Sequence, residues 1–139
     1  MKNKILEKVT SFYRQSSHYT YKTLEQNKMD YKEELDYVSE FFKIDSLESL
    51  FLLSIIANNS EFKLCNIEEI ASQLDVSRFD ILKNLEVLYS LESKNLIEIS
   101  EPHEYPQKNR KYAYLGSYPI EIMNKNLVIS KAIENQFFK

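Results

Sequence analysis

Residues 66–99 read NIEEIASQLDVSRFDILKNLEVLYSLESKNLIEI. Their spacing predicts a short helix, a three-residue turn, a longer helix and the first strand of a hairpin. Asn66 is suited to cap the first helix, with Glu69 three residues on completing a capping box, and Ile67, Ile70, Ala71 and Leu74 fall on one face. Asp75-Val76-Ser77 breaks that pattern. Ser77 is the next N-cap, with Asp80 at the third helical position, where a carboxylate reaches back to free amides. Ile81, Leu82, Leu85, Leu88 and Tyr89 supply the apolar stripe of the second helix. Lys94-Asn95 closes it, and Leu96, Ile97 and Ile99 open a strand.

Upstream, Ile5, Leu6, Val9, Phe12 and Tyr13 recur at helical spacing within residues 2–21, and Ser16, Ser17 and Thr20 weaken the pattern. Asp30 with Glu33 has the form of another helix start, with Tyr31, Leu35, Val38 and Phe42 as its stripe and Tyr37 and Phe41 beside it. Five of the ten tyrosines precede residue 38; tyrosine combines apolar area with a water-tolerant hydroxyl, so this arm suits packing or an interface. Asp45 and Glu48 repeat the capping-box spacing. They open a helix whose Leu47, Leu50, Phe51, Leu53, Ile55 and Ile56 cover nearly all sides, as in a helix buried from several directions. Asn58-Asn59-Ser60 ends it, and Phe62 to Cys65 reads as a short strand that would pair with the hairpin.

Downstream, Ser100 to Lys111 carries two prolines and many polar residues, as a hairpin tip would. Tyr112, Tyr114 and Leu115 form the returning strand, and Tyr118-Pro119-Ile120 leaves it. Asn126 to Phe138 offers Leu127, Ile129, Ala132, Ile133 and Phe137 to a terminal helix. Two helices, a tight turn and a hairpin resemble a winged helix-turn-helix. The expected fold is mainly α with a small β-hairpin: a helical arm over residues 1–45, the winged helix over 46–122, and a C-terminal helix or linker over 123–139.

Composition narrows the function classes. With 139 residues, 43% hydrophobic and 28% charged, the chain suits one globular domain. The run from Leu50 to Ala57 is too short for a membrane span, and no signal-peptide apolar segment follows Met1. One cysteine, Cys65, precludes an internal disulfide; a buried thiol and a reducing cytoplasm are the expectation. A single glycine, Gly116, is poor material for phosphate loops. The two histidines, His18 and His103, lie far apart, so metal-ligand spacing is absent. There is no nucleophile elbow, Walker motif or dinucleotide fingerprint. Glu33-Glu34 and Glu68-Glu69 suit helix N-termini rather than catalysis. Neither a catalytic role nor a cofactor is expected of this segment.

Charge then weighs nucleic acid against protein. Residues 1–45 hold eight basic and eight acidic residues, residues 46–100 four against nine, and residues 101–139 six against four. A helix-turn-helix that neutralises phosphates should carry the opposite balance over its central segment. With Leu85 turned inward, the outward face of the second helix is expected to show Asp80, Lys83, Val87 and Ser90, flanked by Phe79, Asn84 and Glu86. Only Arg78 and Asn84 there are bidentate base readers. Phe79 and Val87 instead propose an apolar, protein-facing surface. The hairpin tip is the counterweight, because Lys108, Arg110 and Lys111 could follow a phosphate backbone, although Glu101 and Glu104 could neutralise them.

A second resemblance rests on LYSLESKNLIEIS, a tyrosine-bearing wing strand, and YPIEIMNKNLVISKAIENQFF. This succession is similar to the N-terminal winged-helix region that precedes the motor in some bacterial AAA-type ATPases, over roughly residues 45–138. The resemblance implies a non-catalytic regulatory or recruiting module in the cytoplasm. Its partner would be protein, either a downstream domain or another chain, and Phe137-Phe138 would meet such a neighbour. No nucleotide-binding motif is present, so no ATP chemistry falls on these residues. The layout also resembles small dimeric DNA-binding regulators of the MarR type, whose terminal helices form the dimer. In that alternative Arg78, Lys83, Asn84, Lys108, Arg110 and Lys111 touch DNA.

Overall fold

The computed structural model describes residues 21–60, 65–101 and 120–139. The amphipathic stretch before residue 21, the strand expected at 62–64, the hairpin tip and the returning strand at 112–115 lie outside the described residues. Within them the protein is mainly helical with a small two-stranded antiparallel sheet. Helices α1 (Leu24–Asp30), α2 (Lys32–Phe42), α3 (Ser46–Asn59), α4 (Ile67–Leu74), α5 (Arg78–Leu82) and α6 (Leu85–Ser93) lead to strand β1 (Ile97–Ser100). A 3₁₀ turn (Glu121–Asn124), strand β2 (Asn126–Ile129) and helix α7 (Lys131–Phe138) follow. None of the described helices is long and apolar enough to cross a membrane.

Local capping chemistry sets most helix starts. Asp45 accepts from the Glu48 amide at 2.8 Å while the Glu48 carboxylate accepts from the Asp45 amide at 3.1 Å, as the spacing predicts. Ser77 and Asp80 form the same reciprocal box, and Asn66 accepts from the Glu69 amide. Each satisfies amides that would otherwise lack partners in the first turn. Ser77→Ala is expected to lower stability by about 1–2 kcal/mol, read as a shift of the urea midpoint at unchanged slope.

The expected helix start at Asp30 is not what forms. The box lies at Thr23 and Gln26, whose side chains exchange hydrogen bonds with each other's amides at 3.0 and 2.8 Å. Asp30 is instead the last residue of α1 and pairs with Lys22 at 2.6 Å. Tyr31 begins α2 without a side-chain cap. The T-x-x-Q spacing was present to be read, but an adjacent acidic box masked it. α1 then docks on the end of α4: the buried Asn27 amide donates to the Leu74 carbonyl at 2.9 Å, and the Lys22 amide donates to Asp75.

α3 runs through the centre, packed against α1, α2, α4, α6 and β2. Its Phe51, Leu52 and Ile55 are fully buried beside Ile67, Ile70, Ile81 and Leu88. Polar residues on it are also enclosed and satisfied. Ser54 Oγ and Asn58 Nδ2 both donate to Gln73 Oε1, at 2.7 and 2.8 Å. At its other end Glu48, 5% exposed, accepts from Lys94 Nζ and Ser90 Oγ of α6, each at 2.8 Å. Burial alone would raise the Glu48 carboxyl; Lys94, the Asp45 amide and Ser90 outweigh it and hold the group below its ordinary value.

β1 pairs with β2, Ile97 opposite Ile129 and Ile99 opposite Leu127. A single terminal helix from Asn126 to Phe138 is therefore a misreading of residues 126–129. Leu127, Val128 and Ile129 are β-compatible, and β1 offers hydrogen bonds that a helix would forgo. The far side of β2 is occupied too, with the Leu127 amide donating to the Cys65 carbonyl at 2.7 Å and the Ile129 amide to Asn59 Oδ1 at 2.9 Å. Ser130 then caps α7 by accepting from the Ile133 amide. Cys65 is buried as expected, and desolvation, with Glu69 nearby, pushes its thiol up to about 12.

Candidate interaction surfaces

Two surfaces compete for function, and the first is the face around α4 to α6 on which the sequence places a helix-turn-helix. The second helix expected there is not continuous: α5 ends at Leu82 and α6 restarts at Leu85. Asn84 Nδ2 donates to the Asp80 carbonyl at 2.7 Å, engaging an acceptor that lies at the break. The break separates Asp80 and Lys83 from a face projected from Leu85, and within α6 the buried face is centred on Val87, Leu88 and Leu91, with Leu85 only at its edge. Asp80 and Val87, both expected outside, are buried, Val87 at 9% exposure within the core. Tyr89, expected on the buried stripe, is instead exposed. The exposed positions of α6 include Glu86, Tyr89 and Glu92, two carboxylates and a phenol.

The expected base readers sit together on α5 and the turn after it, but each already has an internal role. Arg78 Nε donates to Glu68 Oε2 at 2.8 Å. Lys83 Nζ lies 3.8 Å from Asp80 Oδ1, and the Asn84 amide is engaged as above. Phe79 is half-buried and packs against the core. Val87 does not join them. Lys108, Arg110 and Lys111 lie outside the described residues. Ion pairs at a surface are weak enough to be exchanged for phosphates, yet every exchange here would uncover Glu68 or Asp80 beneath the incoming anion.

The second surface is apolar. Aromatic side chains of α2 and α7 meet beside Ile56 of α3 and line a groove of about 470 Å³. Tyr37, Phe41, Phe42, Phe137 and Phe138 line it. The Phe41 and Phe42 rings stand 4.9 Å apart at 75°, and Phe137 approaches them at 5.8 and 6.2 Å. These are the edge-on and tilted geometries that aromatic quadrupoles favour. Tyr37 is nevertheless 75% exposed, Phe41 50% and Phe138 60%. Beyond Phe138 the hollow surface continues over Val128 and Ile129 of β2.

Carboxylates neighbour the groove on both helices, by helical spacing from its lining residues. Glu33, Glu34 and Glu40 lie one helical turn from Tyr37, all exposed, and they form no ion pair among the described residues. Asp36 pairs with Lys32 at 2.8 Å. On α7, Glu134 pairs with Lys131 and Lys139, at 3.2 and 3.7 Å. Lys43 is an exposed cation just past the end of α2.

Sequence reading placed Tyr37 and Phe41 beside the stripe of α2 and expected Phe137-Phe138 to want a neighbour. It did not bring the two aromatic pairs together. The available signal was their adjacency: neighbouring residues on a helix point about 100° apart, so on a helix packed along one face only, one of two adjacent phenylalanines stands off the centre of that face. Comparison of the chain with protein-family models, with characterised proteins and with solved structures found no significant match.

Proposed function

We propose that this chain is a non-catalytic winged-helix interaction module that recruits protein, serving as the cytoplasmic N-terminal domain of a larger AAA-type ATPase. The observation that carries the protein-binding part is the aromatic groove between α2 and α7, an apolar surface larger than scattered exposed residues would make. The helix-turn-helix face argues in the same direction, because its cations and its Asn84 amide are engaged within the chain and the exposed side of α6 bears Glu86 and Glu92.

The second reading is a dimeric DNA-binding regulator, favoured by the Lys108, Arg110 and Lys111 cluster in the sequence. Titration with random-sequence duplex DNA separates the two. A module for protein should show no saturable binding at about 0.1 M salt. A regulator should bind tightly, with affinity falling steeply as salt rises, and should be dimeric to reach two half-sites. The ATPase context has its own check: a GxxxxGK[ST] motif in the reading frame beyond Lys139.

A further inference from the structure

We infer that the groove between α2 and α7 is a docking site for a cationic amphipathic helix of a partner protein. The inference rests on the protein-recruiting reading above and specifies its partner. Shape supplies the first argument. Aromatic residues from two helices, with Ile56 and Ile133 between them, line a trough, the form in which an apolar helix face is received through anchors at i, i+3 or i+4, and i+7. The walls are aromatic, which gives large contact area at small entropic cost on binding.

Charge selects among the occupants. Glu33 and Glu40 flank Tyr37 one helical turn away on α2, and neither forms an ion pair among the described residues. A second copy laid symmetrically across the groove would bring those carboxylates against their own counterparts, and like charges opposed across an interface cost affinity. A polyanion would meet the same repulsion. A helix with leucines or aromatics on one face and lysines flanking them places its apolar stripe on Tyr37, Phe41 and Phe137 and its cations over Glu33 and Glu40.

The test uses the full chain and a fluorescein-labelled peptide of about 15 residues, leucine and phenylalanine on one helical face and lysine on the other. A matched peptide carries glutamate in place of lysine. Anisotropy should report saturable binding of the lysine peptide, weakened about tenfold by Phe41→Ala and about fivefold by Glu33→Lys with Glu40→Lys. The glutamate peptide should bind at least about tenfold more weakly. All substituted side chains are exposed, so far-UV circular dichroism should be unchanged.

Equal binding of the two peptides, with the Phe41 dependence retained, would overturn the cationic partner while leaving a protein site in place. Binding that ignores Phe41→Ala, or no binding at all, would remove the groove as the site. Concentration-dependent dimerisation abolished by Phe41→Ala would hand the groove to a second copy. Tight duplex-DNA binding would instead defeat the recruiting reading itself, and that outcome is read in a separate titration.

Discussion

Replacing Lys94 with methionine is expected to lower stability by about 2–3 kcal/mol at neutral pH and to weaken one pH dependence. Glu48 is 5% exposed, and with Lys94 removed it keeps only the Ser90 hydroxyl and the Asp45 amide. Removing one partner of a buried pair costs about 3–5 kcal/mol; the Lys94 end is 42% exposed, so the lower figure applies. In the native protein the carboxyl is held below its ordinary value of 4.5. The pair's contribution is therefore full above that value and is lost as pH falls through the folded-state pKa. Without Lys94 the carboxyl keeps the burial that raises it and loses its largest lowering partner, so it lies above its value in the native protein. The variant therefore loses less stability than the native protein as pH falls from neutral. Urea midpoints at about pH 7 and about pH 4 should show the gap between the two proteins closing. A gap that is constant or widens would mean that Lys94 acts by packing its stem rather than by charge.

Phe51→Ala should be the most damaging single change, at about 3–5 kcal/mol. The side chain is fully buried on α3, the helix against which α1, α2, α4, α6 and β2 all pack. A domain of this size has about 5–15 kcal/mol in total, so the variant retains little margin. Loss of a cooperative thermal transition, or a fall in Tm of roughly 10 °C or more, is the expected result. A fall of only a few degrees would show that the site collapses around the missing ring and that α3 is not the hub. The two predictions bear on the candidate site as well. Phe51 holds α3 in place and α3 supplies Ile56 to the groove floor, so groove variants are best made at Tyr37 or Phe41, where exposure spares the core.

The sequence alone determined what depends on a few neighbouring residues. The helix starts at Ser46, Ile67 and Arg78 follow from caps three residues across, because an N-cap side chain reaches only its own first turn. The many-sided burial of α3 was legible from an apolar pattern with no polar face, and the buried state of Cys65 from its apolar surroundings. Three things only the tertiary structure decided. Residues 126–129 become strand because β1, Cys65 and Asn59 offer that backbone partners on both sides, and hydrogen-bond partners that distant in sequence leave no local mark. The buried face of α6 is centred on Val87, Leu88 and Leu91 with Leu85 at its edge, and the break at Lys83-Asn84 separates its phase from that of Asp80; neither is visible in a projection that takes Leu85 as the inward position. The aromatic groove exists because α2 and α7 bring their aromatic residues together beside Ile56 of α3; each aromatic pair taken alone reads as surplus apolar surface, and only their juxtaposition makes a concave site.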